Sequence, residues 1–307
     1  MNHKPILILS EQAEAYATEL RRQSSDIELF STLDEHSRSA EIVLGDPHIL
    51  VESLGELSAV RWIQSTWAGV RPLIEQPRRD YMLTGVKGVF GEAIAEYALA
   101  YVLYLEKNIA PFVASQQAQS WQPLLPRRLR GKRLLVLGTG SIGQEIGRYF
   151  SFFGVEVTGM NREARATPSF HRCISPRELA EHLPHNDYII NILPDTPESR
   201  GLLDGPTLSL MKDDGIFINA GRGSVLDESA FSQHMQKGRL RAAVLDVFQQ
   251  EPLPQGHPFW QQDRLLMSFH TAAPSFPEDI ATLFLGNLEK YLAGKPLDHL
   301  VDFEKGY

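Results

Sequence analysis

Residues 133–143, RLLVLGTGSIG, constrain this 307-residue chain more than any other stretch. A short apolar run ends on Gly138, further glycines follow at 140 and 143, and a helical segment, QEIGRYFSFFG, begins at once. This is GxGxxG in a strand-turn-helix setting, and each glycine has its own task. Gly138 permits the tight turn, Gly140 lets the backbone approach a pyrophosphate, and Gly143 lets the helix sit close to the strand. The N–H groups of Ser141 and Ile142 open the helix unpaired, which is a seat for phosphate oxygens. An ordinary glycine-rich turn would look the same in isolation, so the surrounding pattern decides between the two.

That pattern alternates short apolar runs with amphipathic segments, as parallel strands joined by helices do. RLLVLG (133–138), VEVTGM (155–160), YIINIL (188–193), GIFINA (215–220), RAAVLDVF (241–248) and LLMSFH (265–270) predict six strands at regular intervals, the number a dinucleotide fold uses. Upstream, ILIL (6–9), EIVLG (41–45) and VRWIQST (60–66), with a helix over 11–23, predict a first sheet. One long apolar helix is expected from Val89 to about Gln119, acting as a hinge, and an amphipathic helix over 277–294 is expected to return to the first domain. At about 150 residues per domain, the length suits two domains. The fold class is therefore α/β, with two Rossmann-like domains of doubly wound parallel sheet and the active site in the cleft between them. The substrate domain is expected to comprise 1–98 and 275–307, discontinuous and flavodoxin-like, and the dinucleotide-binding domain 99–274.

The strand after the glycine loop should end in the residue that selects the cofactor. It reads Val157, Thr158, Gly159, Met160, Asn161, Arg162. A carboxylate there would accept hydrogen bonds from a ribose diol and repel a 2′-phosphate. Neutral Asn161 followed by Arg162, with Arg165 nearby, favours the opposite choice, NADP(H) over NAD(H), with NAD(H) still admissible. The plainer reading, that Arg162 and Arg165 are solvated loop charges, is the less favoured of the two.

Three later segments each put a polar residue just after a strand, at the carboxyl edge where open α/β sheets bind ligands. Arg222 lies between Gly221 and Gly223, where a planar, permanently charged fork could hold a carboxylate and polarise a keto oxygen. His270 could deliver a proton to that oxygen, and Glu251 could hold the other ring nitrogen and favour the charged imidazole. Taken singly, each has a plainer reading as a surface arginine, a structural histidine or a loop carboxylate. Their joint occurrence in this order favours chemistry.

The same segments carry a resemblance. QSTWAGV (64–70), GEAIAEYAL (91–99), GTGSIG, ILPDTPESRGLL (192–203), AGRGSVLDE, LDVFQQEPLP, HPFW (257–260), HTAA and the terminal VDFEKGY together resemble the D-isomer-specific 2-hydroxyacid dehydrogenases, in particular the glyoxylate and hydroxypyruvate reductase branch. The resemblance implies that Arg222 orients substrate, that Glu251 and His270 form an acid/base dyad, and that Asp246 accepts from a nicotinamide carboxamide. It further implies that Leu193, Pro194, Thr196, Ala220, Gly221 and Ala272 line the cofactor cleft and that the backbone of Ala68, Gly69 and Val70 holds the substrate carboxylate. The implied activity is reduction of a small 2-oxo acid to the D-2-hydroxy acid, in a homodimer; the helix near 91–110 could carry the dimer contact, although periodicity alone does not separate that from packing within the chain. Trp67 and Arg71 depart from the family's small and acidic residues at those places. The family's fold also serves corepressors that sense dinucleotides with little turnover, and fold alone does not separate these from enzymes.

Composition excludes other classes. With 30 Lys plus Arg against 38 Asp plus Glu, the net charge of -8 repels polyanions, so no nucleic-acid partner is expected, and the basic run PRRLRGKR (126–133) reads as a solvated face. The single cysteine, Cys173, allows no internal disulfide, and His182, His185 and His171 have too few partners for a metal site. No run reaches the roughly 20 apolar residues a membrane span needs, and the start of the chain lacks a signal core, so a cytoplasmic location without membrane association is expected.

Overall fold

The computed structural model describes residues 4–24 and 27–304; expectations falling on the three residues at either end, including the last part of VDFEKGY, lie outside the described residues. The chain forms two compact units, Met1–Val89 with Ser275–Tyr307 and Phe90–Pro274. The division falls at 89/90, not at 98/99, so the apolar helix that begins at Gly91 belongs whole to the second unit.

In the first unit the elements run β1 (Ile6–Leu9), α1 (Ala13–Gln23), β2 (Leu29–Phe30), β3 (Ile42–Gly45), α2 (Pro47–Ser53), β4 (Trp62–Ser65), α3 (Arg71–Ile74) and β5 (Met82–Thr84). The sheet is wholly parallel, in the order β2-β1-β3-β4-β5. Every residue of β1, β3 and β4 is buried; β1 and β3 accordingly appear in the sequence as unbroken apolar runs, while β4, Trp-Ile-Gln-Ser, buries two polar side chains as well. β2 and β5 are edge strands of two and three residues and escaped notice for that reason. The C-terminal helix, Pro277–Leu292, packs on α1, and its Phe284 and Tyr291 stack on the buried Trp62 at 5.1 and 5.3 Å. Beyond it the tail extends the sheet edge, with the Val301 N–H donating to the Leu83 carbonyl.

The second unit opens with α4 (Gly91–Glu106) and α5 (Ile109–Gln117). The expected single helix is broken at Asn108, whose φ of 53° is left-handed, a conformation asparagine tolerates better than most residues. Then follow β6 (Arg133–Leu137), α6 (Ser141–Phe152), β7 (Glu156–Met160), β8 (Arg172–Ile174), α7 (Leu179–His182), β9 (Tyr188–Asn191), α8 (Gly205–Ser209), β10 (Ile216–Asn219), α9 (Glu228–Gln236), β11 (Ala242–Leu245) and β12 (Leu265–Met267). The C-terminal helix of the first unit is α10. The second sheet is parallel throughout, β12-β11-β10-β9-β6-β7-β8, with seven strands and not six. The additional strand, β8, is a three-residue edge with a polar start, Arg-Cys-Ile, and carries no apolar run. The winding reverses between β6 and β9, which places a crevice at the carboxyl ends of these two strands. No helix among the described residues is long and apolar enough to cross a membrane.

Candidate active site

At the reversal point the glycine loop adopts the geometry its spacing predicts. Gly138 has φ of 115°, open to glycine alone, and a Cβ on Gly143 would lie 2.1 Å from the Gly138 carbonyl oxygen, so helix and strand meet there only without a side chain. A Cβ on Gly140 would meet nothing within 4 Å. Its side of the backbone is open space at the N-terminus of the 12-residue α6, whose first turn has no side-chain cap. A cavity of about 1240 Å³ adjoins this end, lined by Gly138, Thr139, Gly140, the 160–164 turn, Ser175–Arg177, Leu193, Pro194, Thr196 and neighbours. An open glycine face, uncapped N–H groups and a cavity of this size fit a dinucleotide pyrophosphate.

The end of β7 is organised differently from the simplest reading of its sequence. The Asn161 side chain is spent on its own turn: Oδ1 accepts from the Arg165 N–H at 2.8 Å, and Nδ2 donates to the Arg165 carbonyl at 2.8 Å and to Thr139 Oγ1 at 3.1 Å. Asn161 thus shapes the rim, while Arg162 extends from it, 78% exposed, with Glu198 at 3.7 Å. Arg177, at the start of the turn after β8, lines the same cavity. Sequence reasoning passed over Arg177 because β8 itself was not visible.

Leu193, Pro194 and Thr196 line the cavity, whereas Ser141, Ile142 and Gly143 at the start of α6 and Ala220, Gly221, Arg222, Asp246, His270 and Ala272, beyond the ends of β10, β11 and β12, lie outside its lining. There Asn191 and Asn219, both fully buried, join the ends of β9 and β10. Asn191 Nδ2 donates to Asn219 Oδ1 at 2.8 Å, Asn191 Oδ1 accepts from the Leu193 N–H, and Asn219 Oδ1 accepts from the Gly221 N–H as well. Arg222 follows between two close approaches. A Cβ on Gly221 would come within 2.8 Å of the Ile192 Cα, and one on Gly223 within 2.0 Å of the Phe248 carbonyl carbon. The arginine is held on both sides by backbone contact. Its Nη1 donates to the Gly221 carbonyl at 2.7 Å, and among the described residues no carboxylate pairs with its guanidinium.

His270 Nδ1 lies 2.7 Å from Glu251 Oε2, while the other Glu251 oxygen accepts from the Phe248 N–H at 2.8 Å. The imidazole is half-exposed and the carboxylate about one-third exposed. The hydrogen bond to Glu251, opposed by burial and by the Arg222 charge, holds the His270 pKa above the ordinary histidine value. Burial disfavours the Glu251 carboxylate, yet the hydrogen bonds from His270 and Phe248, together with the charges of His270 and Arg222, keep its carboxyl below the usual carboxylate range. The backbone of Phe269 and His270 is left-handed, at φ 52° and 60°. Asp246, 2% exposed, keeps it there: its carbonyl accepts from the His270 N–H at 2.6 Å, and its Oδ1 accepts from Ser268 Oγ and from the Thr271 and Ala272 N–H groups.

In the first unit, Ala68 and Gly69 lie on the loop between β4 and α3, and Val70 is the residue that caps α3. Ser65 ties this loop down, its Oγ donating to the Trp67 carbonyl and accepting from the Trp67 N–H. Trp67, 43% exposed, lies against His48 with ring centroids 5.1 Å apart.

A glycine loop at a sheet reversal fits a dinucleotide, and the same unit carries a carboxylate-held histidine able to move a proton, the parts a dinucleotide-dependent oxidoreductase needs. The model of the D-isomer specific 2-hydroxyacid dehydrogenase NAD binding domain matches residues 99–272. The chain is 30% identical over 283 residues to glyoxylate/hydroxypyruvate reductase A of Serratia proteamaculans (strain 568), covering 89% of each. Among solved structures, it is similar to a D-isomer specific 2-hydroxyacid dehydrogenase family protein of Aeromonas salmonicida subsp. salmonicida A449, with TM-score 0.93, 33% identity, and coverage of 98% of this chain and 100% of that one. It is also similar to a D-isomer specific 2-hydroxyacid dehydrogenase of Xanthobacter autotrophicus Py2 in complex with NADPH and MES, with TM-score 0.86, 25% identity, and coverage of 99% and 100%. The chain belongs to the D-isomer-specific 2-hydroxyacid dehydrogenase family and is an NAD(P)-dependent oxidoreductase of that family.

Proposed function

We propose that this protein reduces a small 2-oxo acid of the glyoxylate or hydroxypyruvate type to the D-2-hydroxy acid, with NADPH preferred over NADH. The observation that carries the reading is the 2.7 Å contact between His270 Nδ1 and Glu251 Oε2, close enough to the Arg222 guanidinium for both titrating groups to feel its charge. When bound, the reduced nicotinamide supplies a hydride to the keto carbon. Arg222 holds the substrate carboxylate and draws charge onto the keto oxygen. His270, protonated and held by Glu251, gives its Nε2 proton to that oxygen, so the product leaves as the hydroxy acid. The backbone of Ala68, Gly69 and Val70 is assigned to the substrate carboxylate as well. Ser141 and Ile142 N–H groups take the pyrophosphate, and Ala220, Gly221, Asp246 and Ala272 border the nicotinamide. On Asp246, Oδ2 receives, among the described residues, only the Ala272 N–H, at 3.2 Å, and is the oxygen with room for a carboxamide donor.

The cofactor preference is supported by Arg162 and Arg177, two arginines that line the cavity and have the chemistry to pair with a 2′-phosphate. The substrate reading is supported by the name of the Serratia relative and the cofactor reading by the NADPH in the Xanthobacter structure. A panel of glyoxylate, hydroxypyruvate, pyruvate and a bulky aryl 2-oxo acid, each assayed with NADPH and NADH, tests both. The expected result is highest kcat/KM for one of the first two with NADPH, and a rise in the KM for NADPH of about tenfold in Arg162→Ala, since a charge-assisted hydrogen bond is worth about 1.5–3 kcal/mol. Equal kcat/KM for the two cofactors would defeat the preference. Negligible turnover with cofactor-dependent assembly would favour the corepressor-like reading instead. A homodimer belongs to the same proposal, and the apolar surface that supports it is at 109–125, where Trp121 is 96% and Leu125 92% exposed.

A further inference from the structure

Glu251 meets His270 from a loop whose backbone is itself held by carboxylates. The Phe248 N–H donates to Glu251 at 2.8 Å, and the very next amide, that of Gln249, donates to Glu228 Oε1 at 2.7 Å. Two adjacent peptide N–H groups are thus divided between two acids. The second acid has a histidine of its own: Glu228 Oε2 lies 3.4 Å from His257 Nε2, with side-chain exposures of 13% and 20%. His257 is fixed in turn, its Nδ1 accepting from the Phe259 N–H and its ring standing edge-on to Phe259, which is buried in the core of the unit. Glu228 opens α9, and Gln249 Nε2 donates back to the Leu226 carbonyl just before that helix at 2.6 Å. On the opposite side the Phe248 backbone rests on Gly223, the neighbour of Arg222. The Glu251 loop is therefore clamped between the arginine turn and the Glu228–His257 pair.

We infer that Glu228, supported by His257, is a positioning residue for the acid/base pair: by holding the Gln249 amide it fixes the peptide from which Glu251 reaches His270. This rests on the dyad reading proposed above, but its physical content, the placement of Glu251, does not. The groups facing Glu228 are the Gln249 amide, His257 and, as a like charge, Glu251; burial lifts its carboxyl above the usual range against the first two. Those facing His270 are Glu251, Arg222 and Asp246. Loss of the Glu228 clamp loosens the Glu251 contact, and the His270 titration then moves down toward that of an ordinary histidine.

The test follows the His270 imidazole by NMR in the cofactor-free protein, its signal identified as the one missing from His270→Gln. In Glu228→Ala the titration is expected to move to lower pH. The alkaline limb of kcat/KM for reduction should move with it and kcat should fall about tenfold, the lower end of what removal of a supporting partner costs, with the Kd for NADPH unchanged. Glu228→Gln, which keeps an oxygen facing the Gln249 amide, should restore most of the loss. His257→Asn keeps a capping oxygen for the Phe259 N–H and withdraws the ring nitrogen from Glu228; it should shift the titration the same way by less, and it decides the matter if Glu228→Ala does not fold. A wild-type His270 titration in these variants overturns the inference. A shifted titration alongside an active His270→Gln would uphold the positioning and overturn the dyad reading.

Discussion

At the scale of single residues, the site depends on backbone placement more than on side-chain reach. Arg222 stands where it does because glycines at 221 and 223 let the chain press against Ile192 and Phe248. The flanking glycines were legible in the sequence, but their partners were not, since nothing in a one-dimensional pattern says which loops will touch. Asn191 and Asn219 illustrate the same limit. They read as polar ends of apolar runs, and only the pairing of β9 with β10 brings their side chains together. His270 and Glu251 were identifiable by chemistry and order; the left-handed turn that aims the imidazole was not. The pH dependence follows from their coupling. Reduction needs the imidazolium, whose pKa is raised, so kcat/KM for reduction should be level at low pH and fall as pH rises through a value above that of free histidine. Glu251→Gln removes the charge that favours the imidazolium, and the fall should then begin at lower pH. An unmoved limb in Glu251→Gln would show that the carboxylate does not tune the histidine.

Among elements, the strands legible in the sequence were those built around a run of buried apolar residues, as in β1, β3, β6 and β10. The short edges β2, β5 and β8 have one solvent side and few residues, so periodicity gave no sign of them. The break at Asn108 falls in the polar stretch Glu106-Lys107-Asn108, which a continuing helix tolerates equally well, so its left-handed residue left no sign in the pattern; Arg177 was overlooked because β8 was not visible. One contact between elements carries a stability prediction. Glu106, 2% exposed at the end of α4, accepts from Tyr188 Oη at 2.8 Å and from Arg241 Nη1 at 3.1 Å, tying the helix to β9 and to the start of β11. Glu106→Ala leaves the guanidinium of Arg241, 21% exposed, without its partner, and should destabilise the protein by about 3 kcal/mol, the low end for a broken buried pair. Urea unfolding measures this. A loss below about 0.5 kcal/mol, the range of neutral surface changes, would mean the contact is incidental.

On the scale of the whole molecule, two parallel sheets and a net charge of -8 were within reach of composition and pattern, as was the return of α10 to the first unit. The surface was less legible. The helix expected to carry a dimer contact, near 91–110, buries part of its apolar face in its own unit, while Ile109, Phe112, Val113, Trp121 and Leu125 stay exposed. Large apolar side chains grouped on a surface mark an interaction site more often than chance placement. If that site joins two copies, Trp121→Ser with Leu125→Ser should convert a dimer to a monomer in light scattering; a wild-type protein that is monomeric at micromolar concentration would remove the homodimer from the proposal.

The central claim is that His270, held by Glu251, supplies the proton during reduction. Rapid mixing of the NADPH-loaded protein with the best 2-oxo acid of the panel measures that step in a single turnover, and His270→Gln is the variant to compare. The account predicts a rate at least about 10²-fold below wild type, the contribution of a positioned general acid, with the Kd for NADPH unchanged. A variant that turns over at the wild-type rate would contradict it.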